Sequence, residues 1–208
     1  MNARAAQHLA RNVCLSTLLG LGGAYTWYAT RLDYAFAYEL WWLRATGYTA
    51  LGALFLSLLM TPVSLLYIRL LPQHPSPMVW MALRRSLGMS AAWLGSLHAC
   101  VALTTYLDGS WPLVVAAPYL RAGLTALLIL LALLITSFPT LVRLLHIRFW
   151  KQLHRLAYVA VLFLFQHLMQ APFALRWLTV LLFSCLVLLG LVRVLPFVAK
   201  WGVAKQSG

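Results

Sequence analysis

The feature that most constrains this chain is a succession of apolar runs near 12–30, 46–68, 86–107, 119–142, 154–173 and 176–198. Each run of about 20 residues, if helical, spans roughly 30 Å of hydrocarbon. No soluble domain can hide that many such segments at once. The rest of the composition agrees: 63% of the 208 residues are drawn from AVILMFWYC and 9% are charged, against about a quarter charged in soluble domains. With so few polar groups to line an aqueous interior, helices are the means of satisfying the backbone in lipid. The expected fold is an all-α polytopic membrane bundle of six transmembrane helices, forming one domain over 1–208. Two of the short loops carry proline punctuation, LPQHPSP and WPLVVAAP. The basic, apolar N-terminal stretch reads as an uncleaved first span that starts in the cytoplasm.

Charge sets the expected orientation. Once six spans are accepted, Arg4, Arg11, Arg69, Arg84, Arg85, Arg143, Arg148, Lys151, Arg155, Arg193, Lys200 and Lys205 fall on the side of the termini. Only Arg31, Arg44, Arg121 and Arg176 fall opposite, together with all three acids, Asp33, Glu39 and Asp108. The positive-inside rule then places both termini in the cytoplasm. The net charge of +13 arises from scarcity of acids and is spread between spans, so no basic face for nucleic acid is expected. A basic inner face is suited to anionic lipid or to an acidic cytosolic partner, and equally to topology alone.

Cysteine offers little chemistry. Cys14, Cys100 and Cys185 lie in apolar runs without CxxC or CxxCH, which removes a zinc site and covalent haem attachment. The histidines are the better candidates. His98 lies in the third run, His154 at the inner end of the fifth and His167 toward its outer end. An ionisable or metal-binding side chain in a membrane helix is costly to bury and points to function, although any one of them also suits an interhelical hydrogen bond. Imidazole is a standard axial ligand of haem iron, and two histidines on different helices can hold one porphyrin between them. His98 follows Arg85 by about the same helical distance as His167 follows Arg155, so the two should reach similar depth. They form the expected ligand pair of one haem.

The stripe Gly88, Ala91, Gly95 and Ala102 on the face of His98 is almost free of side-chain bulk. It suits a flat macrocycle or the close approach of another helix. His154 precedes His167 by about 19.5 Å of ideal helix, a spacing that suits two stacked haems, but an ideal helix puts the two rings about 140° apart in azimuth. No second histidine is evident for an inner haem. Arg84 and Arg85 stand where one would be expected and are suited to haem propionates or lipid phosphates. One haem is therefore expected and a second left open, with loop residues His74 and His146 as spare inner ligands or as plain exposed histidines without a role; His8 has no assigned role.

The segments RRSLGMSAAWLGSLH and KQLHRLAYVAVLFLFQH resemble the ferric reductase-like transmembrane domain. TGYTAL at 46–51, Thr61-Pro62 closing the second span, RRSLG at 84–88, PYL at 118–120 and the stretch from Trp150 to His154 look most like its MsrQ family, over about Thr46 to His167. That resemblance implies a haem-binding subunit of the bacterial inner membrane that passes electrons to a periplasmic MsrP-type methionine sulfoxide reductase. It implies His98 and His167 as ligands of the outer haem and His154 for the inner site. FMN at the cytosolic side, and a cytoplasmic flavin reductase or membrane quinol as donor, are further implications. Ala117 departs from the arginine expected before PYL. The flavin and nicotinamide domains of NADPH oxidases are not expected, so hydride transfer from NADPH unaided is not either. No catalytic residue for a terminal substrate is expected in the chain. Two other classes stay open: a stand-alone ferric or cupric reductase, and a non-redox transporter or structural subunit.

Overall fold

The computed structural model describes residues 38–70, 77–172, 174–188 and 190–191. The expected first span, the termini, His8, Cys14 and His74 lie outside the described residues, as does the end of the sixth run. Within them the chain is helical, without strands: α1 (Tyr38–Leu70), α2 (Pro77–Val101), a π-helical turn (Ala102–Tyr106), α3 (Trp111–Ala116), α4 (Pro118–Ile135), α5 (Pro139–Leu144), α6 (Ile147–Leu153), α7 (Leu156–Gln170) and α8 (Arg176–Leu188). Among the described residues, three stretches are long and apolar enough to cross a membrane: Leu43–Leu65, Val79–Tyr106 and Pro118–Ile135. The 15 residues of α7 give about 22 Å of helix, less than a full crossing.

Proline places several of the boundaries. Pro77, Pro118 and Pro139 each open a helix, where the missing N–H costs nothing and the fixed φ is already helical. The residue before a proline is driven to extended backbone, and Ala117 (ψ 121°) and Phe138 (ψ 140°) obey. This is why the fourth run does not stay helical to 142: α4 stops at Ile135 and α5 begins afresh at Pro139. The segment 111–118, expected as loop, contains the short helix α3, also opened by a proline. Pro62 behaves differently, since α1 runs through it to Leu70 and the second span does not close there. Beyond α2, the wide turn ends at Asp108 (φ 46°) and Gly109 (φ 71°), the left-handed pair that stops a helix.

The helices pack as two pairs, α1 along α2 and α4 along α7, joined where α2 meets α4. The crossing is built from Ala53, Leu54 and Leu58 of α1, Ala91 and Ala92 of α2, Ala126 and Leu130 of α4, and Ala160 of α7. Five of these eight are alanine. Lipid tails are as apolar as leucine, so helices in a bilayer gain by close van der Waals approach, which small residues permit. The bulk-free stripe on α2 serves this purpose: a Cβ on Gly88 would meet Ser57 Oγ of α1 at 3.4 Å, and one on Gly95 would meet Leu127 of α4 at 3.5 Å. Ser57 adds a polar tie by donating to the Arg84 carbonyl (2.9 Å). Large side chains such as Trp93, Leu128 and Trp177 point outward instead.

Candidate functional site

The two helix pairs each present one histidine to the junction between them. His98 on α2 and His167 on α7 have ring centroids 6.3 Å apart with planes at 82°. The equal-depth expectation from sequence thus corresponds to rings that meet at the junction of the two helix pairs. Each ring is oriented in the same way by its own pair: His98 Nδ1 donates to the Leu43 carbonyl of α1 (2.9 Å), and His167 Nδ1 donates to the Tyr119 carbonyl of α4 (2.8 Å). A carbonyl can only accept, so both imidazoles carry a proton on Nδ1, and in the neutral ring the lone pair is then on Nε2. Tyr119 also places its ring 6.0 Å from that of His167.

This arrangement fits a metal held by two opposed imidazoles. A metal–nitrogen bond of about 2 Å plus roughly 1.2 Å from nitrogen to ring centre, taken on both sides, gives about 6.4 Å between centroids. The observed centroid separation of 6.3 Å matches that span. The Nδ1–H bonds to carbonyls are the usual outer support of a ligating histidine, fixing its tautomer and raising the basicity of Nε2. Among the described residues no group of three or more His, Cys, Asp or Glu could hold a metal ion, so a metal here would need equatorial ligands from a macrocycle.

His154 is placed elsewhere and differently. It follows α6 at a tight turn, where Arg155 N–H donates to the Gln152 carbonyl (3.0 Å) and Tyr158 N–H to the Arg155 carbonyl (3.0 Å). The ideal-helix angle between His154 and His167 therefore does not hold, because the chain between them is not one continuous α-helix. His154 Nδ1 donates to the Trp150 carbonyl (3.1 Å), its ring lies 4.0 Å from the Trp150 ring, and Nε2 lies 3.3 Å from Ser137 Oγ. The Ser137 hydroxyl also reaches the Leu133 carbonyl (2.7 Å). Trp150 Nε1 donates to the Thr136 carbonyl (3.1 Å), so the whole node fastens α6 to the end of α4.

Arg84 and Arg85 lie within electrostatic reach of His154. Arg84 Nη1 donates to Thr61 Oγ1 of α1 (3.0 Å), and Arg85 Nη2 donates to the Ser137 carbonyl. Both guanidiniums tie helices together and, with five donors each, keep others in reserve. His146 caps α6, accepting from Arg148 N–H (3.4 Å). Cys100 and Cys185 are free thiols.

Sequence reasoning missed the supporting groups, namely the carbonyls of Leu43 and Tyr119. Backbone acceptors leave no mark in composition, yet both sit in or beside the two motifs TGYTAL and PYL. Those motifs thus mark where α1 and α4 receive the imidazoles.

Comparison with known proteins agrees with this architecture. Residues 46–165 match the family described as ferric reductase like transmembrane component. The chain is 36% identical over 128 residues, 55% of this chain and 54% of the relative, to the protein-methionine-sulfoxide reductase heme-binding subunit MsrQ of Deinococcus radiodurans. It is 35% identical over 127 residues to that of Azospira oryzae (57% of this chain, 50% of the relative), and 36% over 117 residues to that of Xanthomonas campestris pv. campestris (54% and 50%). The chain spans about half the length of the curated relatives it matches. With its apolar helices and the match covering more than half its length, this multi-pass membrane protein belongs to the ferric reductase-like transmembrane component family.

Proposed function

We propose that the chain is a membrane electron-transfer subunit that holds a b-type haem between His98 and His167. The observation that carries this reading is the opposed pair of imidazoles, 6.3 Å apart and each with Nδ1 committed to a backbone carbonyl. Haem bound there would supply one-electron chemistry, with a potential set by its axial ligands and by burial. The chain's own part is to present two Nε2 lone pairs, keep the rings from turning and exclude water with α1, α2, α4 and α7. His154, Arg84 and Arg85 form an inner polar node suited to an anionic group, and a second haem or FMN there belongs to the same proposal. Following the resemblance noted in the sequence, electrons would come from a cytoplasmic flavin reductase or membrane quinol and leave to a periplasmic MsrP-type reductase. The basic side would face the cytoplasm of a bacterial inner membrane.

The test is haem per chain on detergent-purified protein, by pyridine haemochromogen and reduced-minus-oxidised spectra. Wild type should carry b-type haem, and His98→Ala and His167→Ala should each lose the outer haem. His154→Ala should keep it. A protein that takes up no haem even with precursor supplied would overturn the reading in favour of a transporter or structural subunit. Reduction of ferric or cupric chelates without any periplasmic partner would favour the stand-alone reductase.

A further inference from the structure

The two histidine seats share one more feature. The carbonyl that orients His98 belongs to Leu43, and four residues on, one helical turn along α1, stands Gly47. The carbonyl that orients His167 belongs to Tyr119, and four residues on along α4 stands Gly123. A Cβ at Gly47 would lie 2.8 Å from His98 Nδ1 and 2.9 Å from Cε1; a Cβ at Gly123 would lie 2.8 Å from His167 Nδ1 and 3.1 Å from Cε1. Neither glycine has a left-handed φ, so conformational freedom does not account for them. Contact does: each ring rests on bare backbone, at the atom that makes the orienting hydrogen bond. The atoms that would be struck belong to an anchored ring, not to the free end of a flexible chain. Relief would require the ring to rotate or its hydrogen bond to lengthen.

We infer that Gly47 and Gly123 are positioning residues that hold the two axial imidazoles nearly perpendicular and thereby tune the iron; this rests on the haem reading above. The 82° between ring planes has a spectroscopic consequence. Imidazole π orbitals split the iron d orbitals they overlap. Parallel rings act on the same orbital and give a rhombic low-spin ferric signal. Perpendicular rings act on each orbital equally, leave the pair nearly degenerate and give a highly anisotropic low-spin signal. Hydrogen bonding to the axial ligands is also a lever on reduction potential.

The experiment is low-temperature EPR of the ferric, detergent-purified full chain, with haem retention measured alongside, for wild type, Gly47→Ala, Gly123→Ala and Gly190→Ala. Gly190 has nothing within 4 Å of an added Cβ and serves as control. Wild type is expected to show the highly anisotropic signal. Gly47→Ala and Gly123→Ala should shift it or weaken haem retention by about 10-fold or more, the usual cost of disturbing the outer support of a metal ligand. Gly190→Ala should do neither. A rhombic wild-type signal overturns the inference without any variant, so a glycine variant that fails to accumulate does not shield it. Unchanged signals and retention in both glycine variants overturn it as well. A wild-type protein without haem fails at the earlier step, and both readings fall together.

Discussion

Replacing Ala126 by leucine tests whether close packing sets the separation of the two histidines. Ala126 is 0% exposed at the crossing of α2, α4 and α7, three residues beyond Gly123. Leucine adds three carbons where no space exists, and overpacking of this kind costs about 1–3 kcal/mol. In a bilayer the larger side chain recovers nothing by leaving lipid, because lipid and core are equally apolar. The unfolding equilibrium should therefore shift by about 5- to 150-fold toward the unfolded state. The displaced helix also bears the carbonyl that seats His167, so the ring separation of 6.3 Å should change with it. Ala126→Leu should lose haem as well as stability, measured by SDS titration from mixed micelles and by haemochromogen. Leu128→Ala is the comparison: on the same helix, at 57% exposure, it should stay within about 0.5 kcal/mol of wild type. An Ala126→Leu protein that is as stable and as haem-loaded as Leu128→Ala would refute the argument that alanine contact fixes the spacing.

Two further outcomes follow from single contacts. Tyr48→Phe removes the hydroxyl that accepts from Leu175 N–H (2.7 Å) and ties α1 to the start of α8; the orphaned N–H should cost about 1–3 kcal/mol in the same titration, with haem content unchanged. Asp108 holds a left-handed φ of 46°, so Asp108→Val should destabilise by about 1–2 kcal/mol while Asp108→Gly should be neutral or better; equal effects would show that the turn is not set by backbone preference.

The polar node around His154 shows how a residue can draw notice in the sequence while its surroundings stay out of sight. His154 stood out as an ionisable group at a membrane helix end, but its partners Ser137 and Trp150 became visible only once α4 was seen to stop at Ile135 and α6 to fold back beneath it. Arg84 and Arg85 drew notice as cations where a ligand was wanted; that each reaches a different helix depends on the side-by-side placement of α1, α2 and α4. The small-residue stripe on α2 admitted two readings, and packing decided for helix contact at Gly88 and Gly95.

By itself the sequence determined that the chain is a helical membrane protein, because hydrocarbon tolerates only saturated backbones and the length of each apolar run is read directly from residue identity. It also determined many helix starts, because proline acts on its own φ and on its neighbour, and it singled out His98 and His167 through their matched depth. Tertiary structure decided which carbonyls orient those rings, why Gly47 and Gly123 must lack a side chain, and that the rings stand 6.3 Å apart at 82°. These depend on how four helices cross. Distances across a crossing are set by the sum of small contacts from residues far apart in the chain, and no local pattern records that sum.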